Sequence, residues 1–219
     1  MKVDFQYAWE LLPQLVVAAQ TTLLAAVLGF IASLLGGLLL FALYSAKHRL
    51  TKILVRGYVE FARGVPLLVL IYFLYFVGPS AGVVISPLVT GVIALGLHYS
   101  AYMAEVYRAA MIGVPAGQWE ASTSINLSTF DTYRRIIVPQ MIPFIIPNAG
   151  SYFVYMLKDT PLLASISVWE LMAVAQAEGA RRFQYFEPIT MVGIMFLVLS
   201  IAGAFLINRL ERLSQKGWR

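Results

Sequence analysis

Ionisable side chains that interrupt long apolar stretches are the residues of this sequence that could do chemistry. His98, Ser100 and Glu105 share one such stretch, and Asp159 ends another. A charge inside a membrane span costs about 2.5 to 3.5 kcal/mol by insertion scales, so each of these groups is a functional-site hypothesis. Each carboxylate must hold a basic partner or face a polar cavity.

Two of the carboxylates have basic neighbours at helical spacing. Glu60 precedes Arg63 by three residues, and Glu105 precedes Arg108 by three, so each pair can meet on one helix. We expect Glu60 and Arg63 to pair with each other or to lie at the inner membrane surface. For Glu105 and Asp159 two interpretations stay open, the lining of a polar cavity and the locking of helices to one another.

Several classes of chemistry are excluded by missing residues. The chain has no cysteine and only two histidines, which argues against a thiolate or histidine-based metal site. It has no Gly-rich loop ending in Gly-Lys-Ser or Gly-Lys-Thr, so any ATP must be handled by another subunit. Catalytic signatures such as Gly-x-Ser-x-Gly are also missing. A membrane enzyme built on Glu105 and Asp159 remains an alternative.

The composition is that of a multi-span membrane protein. Apolar residues make up 60% of the 219 residues, charged residues only 12%, and the mean hydropathy is +0.77. Such values lie outside the soluble globular class. The net charge of +5 does not indicate nucleic-acid binding, because the basic residues flank apolar spans and have no aromatic platform among them.

Apolar runs of about 20 residues or more predict an all-α membrane protein with five transmembrane helices. The N-terminal segment lacks the features of a signal peptide, so we expect it to be retained. Small residues in the first span, among them Gly29, Gly36 and Gly37, allow a neighbouring helix to approach closely. We predict one domain, 1–219, with spans at about 15–44, 53–77, 88–112, 129–157 and 188–207.

The basic residues predict the orientation of these spans. By the positive-inside rule, the side richer in Lys and Arg is cytoplasmic. The N-terminus is therefore predicted outside and the C-terminus inside. One side holds Lys47, Arg49, Lys52, Arg56, Arg108, Arg134, Arg135, Arg209, Arg212, Lys216 and Arg219, and the other holds Lys2, Arg181 and Arg182.

A polar loop of the chain, 117–128, separates the third and fourth spans. Gln118 to Ile125 can form two helical turns, and Asn126 follows where a chain leaving a helix often adopts a left-handed conformation. Ser128 and Asp131 have the spacing of a capping box that opens a second helix. The loop therefore predicts a short helix, a tight corner and a new helix entering the membrane.

The same loop resembles the loop motif of permease subunits of bacterial ABC importers, which is written EAA, three residues, G, nine residues, I-x-L-P. The sequence departs from that pattern at Ser122, Asn126 and Val138, and all three changes are mild in size or backbone preference. In that family the short helix docks into a cleft of the ATPase subunit. The resemblance implies a cytoplasmic coupling helix here, with the ATPase-coupling residues Gly117, Glu120, Ala121, Ser122, Asn126 and Pro139.

Further motifs extend the resemblance to the polar amino acid branch of these permeases. They are Ala62-Arg63-Gly64-Val65-Pro66, Ser100-Ala101-Tyr102-Met103-Ala104-Glu105, Pro139-Gln140, Met156-Leu157-Lys158-Asp159-Thr160 and Tyr185-Phe186-Glu187-Pro188. The resemblance implies the type I ABC importer permease fold in the bacterial cytoplasmic membrane. It also implies three protein partners: a homodimeric ATP-binding subunit that carries ATP and Mg, a second permease subunit that is identical or similar, and a substrate-binding protein. The chain itself is then no enzyme and binds no cofactor.

The resemblance also implies a substrate site. In relatives with a permease site, polar groups of the third span and the end of the fourth line it, which corresponds here to His98, Ser100, Glu105 and Asp159. A zwitterion leaving water needs carboxylates for its ammonium and donors for its carboxylate. The substrate is expected to be a polar amino acid or a compatible solute such as ectoine. A self-contained secondary transporter, the alternative, would show inverted repeats, and no clear halves are present.

Overall fold

The computed structural model describes residues 4–46 and 48–216, and within these ranges the chain contains helices and no strands. Lys2, Lys47 and Arg219, which enter the charge count above, lie outside the described residues. Four short segments are 3-10 or π-helical turns: Phe73–Val77, Gly78–Ala81, Tyr133–Ile137 and Thr160–Ile166. The α-helices are α1 (Phe5–Tyr44), α2 (Arg49–Gly64), α3 (Leu67–Tyr72), α4 (Pro87–Ile112), α5 (Ala116–Ser124), α6 (Thr129–Thr132), α7 (Val138–Asp159), α8 (Leu171–Arg182) and α9 (Phe186–Lys216).

Four helical segments of the described chain are long and apolar enough to cross a membrane. They are Phe5–Tyr44, Pro87–Ile112, Thr129–Ile166 and Phe186–Ser214. A fifth crossing is available if the bent pair Arg49–Gly64 and Leu67–Ala81 counts as one span. The all-helical membrane architecture is thus as the composition predicts, with four or five spans.

The second predicted span, 53–77, is not one continuous helix. α2 and the segment that begins with α3 are bent by 107° at a break between them. Val65, at the break, has an extended backbone with φ −87° and ψ 130°, because the ring of Pro66 disfavours a helical conformation in the preceding residue. Both halves nevertheless pack along α4: α2 contributes Val55 and Val59 to one apolar cluster and α3 contributes Ile71 to another.

Small residues hold α1 and α4 together. A Cβ added to Gly37 would lie 2.4 Å from Cβ of Met103, and one added to Gly96 would lie 2.7 Å from Cβ of Ala32. The contacts advance in the same direction along both helices, so α1 and α4 run parallel. The predicted close approach of a neighbour to the small residues of the first span is therefore confirmed.

One end of the bundle gathers the start of α1, α8 and the start of α9. The backbone N–H of Asp4 donates to Oε1 of Glu187 at 3.0 Å, and the hydroxyl of Tyr7 donates to the carbonyl of Glu178 at 3.0 Å. The guanidinium of Arg182 bonds to Glu10 at 2.9 Å. A chain that crosses alternately from this end brings the α1–α2 connection and α5 to the opposite end, as the predicted orientation requires.

The first turn of α8 is fixed by a buried carboxyl group. Oε1 of Glu170 accepts the N–H of Ala173 at 2.8 Å, and the hydroxyl oxygen of Thr22 on α1 accepts the N–H of Leu171 at 3.1 Å. Glu170 is fully buried, and its Oε2 has no hydrogen-bond partner among the described residues. Burial raises the pKa of Glu170 to about 7, against the lowering effect of the N–H groups of Met172 and Ala173.

The polar loop has the predicted local structure. α5 is the short helix, and Asn126 adopts the left-handed conformation with φ 54°. The Oγ of Ser128 accepts the N–H of Asp131 at 3.1 Å and donates to the Asp131 carboxylate at 2.7 Å. The left-handed exit of α5 and the cap that opens α6 are therefore confirmed as backbone features.

Candidate functional site

A pocket of about 460 Å³ opens between α4 and α7, and we call it the tyrosine pocket. α4 contributes residues from two consecutive turns near its middle, and α7 contributes residues from its last two turns. The two helices bring together residues that are 50 or more positions apart in the sequence. The lining side chains are His98, Tyr99, Tyr102, Tyr152, Tyr155, Lys158 and Asp159.

The pocket contains groups of both charges. The hydroxyl of Tyr99 donates to Oδ2 of Asp159 at 2.7 Å, which orients the carboxylate. The Nζ of Lys158 lies 5.8 Å from the centre of the Tyr155 ring, a distance at which a ring face attracts a cation. His98 is buried, and its Nδ1 has no hydrogen-bond partner among the described residues. A polar ligand in the pocket would therefore meet an anion, Asp159, and a cation, Lys158.

The tyrosine rings form the remaining walls. Tyr102 and Tyr152 lie 5.2 Å apart between ring centres, and Tyr152 and Tyr155 lie 6.0 Å apart. The guanidinium of Arg63, on α2, lies 5.4 Å from the centre of the Tyr102 ring. The sequence interpretation names none of these tyrosines as site residues, although a spacing of three puts Tyr99 with Tyr102 and Tyr152 with Tyr155 on common helix faces.

Ser100, predicted to line the same site, faces a different way. Its Oγ donates to the carbonyl of Leu97 at 2.7 Å and lies 3.1 Å from the hydroxyl of Tyr58. A Cβ added to Gly36 of α1 would lie 2.9 Å from Cβ of Ser100. Ser100 is therefore buried among α1, α2 and α4 and does not line the tyrosine pocket.

Glu105 lines a second space, which we call the charged cavity. This cavity of about 530 Å³ lies among the last turns of α1, α2 and α4. The Glu105 carboxylate accepts two hydrogen bonds from the Arg108 guanidinium, one of them from Nε at 2.9 Å. The polar residues that line the cavity are Tyr44, Arg56, Glu60, Arg63, Glu105 and Arg108. The four predicted site residues thus divide, with only His98 and Asp159 in one pocket.

The loop residues also divide. Gly117, Glu120, Ala121 and Asn126 are exposed, whereas Ser122 is buried and its Oγ donates to the carbonyl of Gln118 at 2.6 Å. That hydrogen bond lies within α5, and the buried side chain of Ser122 offers little surface to a partner. Pro139, half-buried, begins α7.

No group of three His, Asp or Glu side chains in the described part of the chain could hold a metal ion. The polar atoms of the tyrosine pocket come from one carboxylate, one ammonium, one imidazole and phenols. Such a set favours an organic ligand that carries both charges.

Comparison with known proteins identifies similar chains. Residues 38–216 match the family described as binding-protein-dependent transport system inner membrane component. A probable amino-acid ABC transporter permease protein of Sinorhizobium fredii is 36% identical over 94% of this chain and 89% of that protein. The glutamine transport system permease protein of Escherichia coli is 31% identical over 97% of this chain and 98% of that protein.

A solved structure has the same fold. The crystal structure of an amino acid ABC transporter with histidines contains a chain that superposes with a TM-score of 0.90 at 30% identity. The match covers 97% of this chain and 99% of that chain. The likeness therefore extends over nearly the whole chain rather than a shared fragment.

Proposed function

The chain belongs to the family of binding-protein-dependent transport system inner membrane components, and from this premise we propose that it imports a polar amino acid. As an ABC transporter permease it is a multi-pass subunit of the inner membrane that forms the translocation pathway. ATP hydrolysis takes place on a separate subunit of such transporters, and this chain brings no nucleotide site of its own. We infer further that a binding protein delivers the substrate and that a second permease subunit, identical or similar, completes the pathway.

The observation that carries the amino-acid assignment is the pairing of opposite charges in the tyrosine pocket. An α-amino acid has an ammonium and a carboxylate, and each loses hydration inside a membrane unless a partner replaces it. Asp159 and the faces of the tyrosine rings suit the ammonium. Lys158 suits the carboxylate, and the imidazole of His98 lines the pocket beside it. A volume of about 460 Å³ is within the range of small-molecule sites.

Under this assignment the four site residues predicted from the sequence have different roles. His98 and Asp159 contact the substrate, together with the tyrosines. Ser100 acts as a positioning residue, because it holds α4 against α1 and α2. Glu105 is satisfied by Arg108 and takes no part in the tyrosine pocket.

The charge of Asp159 provides the test. Loss of one charge-assisted interaction costs about 1.5 to 3 kcal/mol, so Asp159→Asn should weaken amino-acid binding about ten- to hundredfold. The loss should be greater for arginine, which carries a second cation, than for glutamine. The affinities are measured as the binding of radiolabelled arginine, histidine and glutamine to the purified complex of permease and ATPase.

Glu178→Gln is the matched control, because it removes a carboxylate that is paired with Arg181 outside the pocket. It should leave binding unchanged. Equal binding of all three amino acids by Asp159→Asn and the unmodified complex would contradict the proposal, provided that both complexes are folded.

We also propose that α5 couples this chain to the ATPase subunit from the cytoplasmic side. Its exposed residues Gly117, Glu120 and Ala121 are available for docking, and Ile125, 68% exposed, adds apolar surface next to them. In this orientation the N-terminus is outside and the C-terminus inside. Glu120→Lys should lower ATPase stimulation without preventing membrane insertion. Glu120→Gln introduces no positive charge and should retain more of the ATPase stimulation. Uptake by the chain without any ATPase subunit would contradict coupling and favour a secondary transporter.

A further inference from the structure

The charged cavity has no role in the function proposed so far. α2 lines it with Arg56, Glu60 and Arg63, which have the spacing i, i+4, i+7 and therefore share one helix face. α4 lines the opposite wall with Glu105 and Arg108. The cavity is thus walled by charged side chains from two helices, close to the end of the bundle that carries α5.

The charges of the cavity are not all satisfied within the chain. Glu105 and Arg108 form an ion pair, and a guanidinium nitrogen of Arg56 donates to the hydroxyl of Tyr44 at 3.2 Å. Glu60 forms no ion pair or hydrogen bond with any described residue, although the sequence suggests Arg63 as its partner. Arg63 lies over the ring of Tyr102 and near Tyr152, and it forms no ion pair or hydrogen bond with any described residue. One carboxylate and one guanidinium therefore remain free to bind a ligand that carries both charges.

The charged cavity and the tyrosine pocket share a wall. Tyr102 lines the tyrosine pocket, and Arg63, which lines the charged cavity, lies over its ring. His98, Tyr102 and Glu105 follow one face of α4 at the spacing i, i+4, i+7. At about 1.5 Å per residue, the two ends of this stripe are roughly 10 Å apart. A path lined by polar side chains therefore leads along α4 from the tyrosine pocket to the charged cavity.

We propose that the charged cavity is a second binding site for the transported amino acid, occupied on the cytoplasmic side before release. The ammonium of the amino acid binds Glu60 and its carboxylate binds Arg63. Arg63 separates the two sites while its guanidinium lies over Tyr102. When the guanidinium moves onto the substrate carboxylate, the path between the sites opens. This inference rests on the function proposed above, because it assigns a second site to the same substrate.

The missing cysteines of the chain allow a direct test. Glu60→Cys introduces a single thiol into this chain, which is assembled with an ATPase subunit whose own cysteines are replaced. Inverted membrane vesicles expose the cytoplasmic face of the complex to a membrane-impermeant thiol reagent. Labelling is followed without nucleotide, with and without histidine, glutamine or arginine. A bound amino acid should slow labelling by the factor 1 + [L]/Kd, which is about tenfold at nine times Kd.

Three further variants make the outcome decisive. Arg56→Cys, on the same wall, leaves both proposed ligands, Glu60 and Arg63, in place and should be protected most. Glu60→Cys removes the proposed ammonium ligand and should be protected less. Lys52→Cys, on α2 but outside the cavity lining, should be labelled at the same rate with and without amino acid. Tyr155→Cys reports on the tyrosine pocket, is labelled in detergent solution where both faces of the complex are accessible, and should be protected.

The results separate this inference from the proposed function. Protection of Tyr155→Cys, with no protection of the two cavity variants by any of the three amino acids, would overturn the second site and leave the proposed function intact. Labelling of the cavity variants only in right-side-out vesicles would overturn its cytoplasmic placement. If no amino acid protects even Tyr155→Cys, both the second site and the amino-acid assignment fail.

Discussion

Gly37 lies where α1 packs against α4, and its replacement by alanine tests the helix arrangement on which both cavities depend. The added Cβ would lie 2.4 Å from Cβ of Met103 and 3.0 Å from the backbone nitrogen of Ala104. Carbon atoms in contact prefer about 3.5 to 4.0 Å. Because Met103 is fully buried and the nearest atoms are Cβ and backbone atoms, a change of side-chain rotamer cannot relieve the clash. The two helices must separate.

The expected cost can be estimated from two opposing effects. Overpacking a close contact costs about 1 to 3 kcal/mol, and backbone atoms at the contact favour the upper part of that range. Alanine gains up to about 1 kcal/mol over glycine in helix propensity. The net loss for Gly37→Ala is therefore about 2 kcal/mol, which corresponds to a Tm lower by about 4 to 8 °C for a chain of this length.

Gly57→Ala is the matched control. Gly57 is also in a helix interior, but a Cβ added there has no atom within 4 Å. Its Tm should equal or slightly exceed that of the unmodified chain, since only the propensity gain applies. Thermal unfolding in detergent, followed by tryptophan fluorescence, compares the three proteins. A Tm for Gly37→Ala at or above that of the unmodified chain would refute the close packing of α1 on α4.

Further variants test three local features of the chain. The folded chain keeps Glu170 protonated up to about pH 7, whereas the unfolded chain loses that proton near pH 4.5. The free energy of unfolding should therefore fall by about 3 kcal/mol as the pH rises between these values, and then level off. Thermal melts across this range should lose that slope in Glu170→Gln. Asn126→Val should cost about 1 to 2 kcal/mol because valine resists the left-handed conformation, while Asn126→Gly should be tolerated in the same melts. Ser128→Ala removes the cap of α6, should cost about 1 kcal/mol, and should speed limited proteolysis of the loop after α5.

Features that depend on local sequence were predictable without the tertiary structure. Composition alone indicates a helical membrane protein, because an apolar helix satisfies its own backbone hydrogen bonds in lipid. Asn126 and the pair Ser128 and Asp131 predict the end of one helix and the start of another, since their side chains and backbone preferences act within a few residues. The loop and span motifs likewise indicate the permease family, which the comparisons confirm.

The site could be predicted only in part. The cost of a buried charge draws attention to Asp159 and Glu105 equally, because it depends on the hydrophobicity of the surrounding sequence. Nothing in that argument tells which cavity each carboxylate faces. The tyrosines could not be predicted as site residues from the sequence, since aromatic residues are common in apolar spans.

The tertiary structure decided how these residues are grouped. The bend at Pro66 directs the charged face of α2 towards α4 beside Glu105, and the antiparallel approach of α7 to α4 brings Tyr152 and Asp159 to Tyr102 and Tyr99. His98 and Glu105 are seven positions apart, about 10 Å along one helix, which is enough to place them in different cavities. Sequence fixes the spacing of side chains along each helix, but the relative translation and rotation of two helices depend on packing between distant parts of the chain.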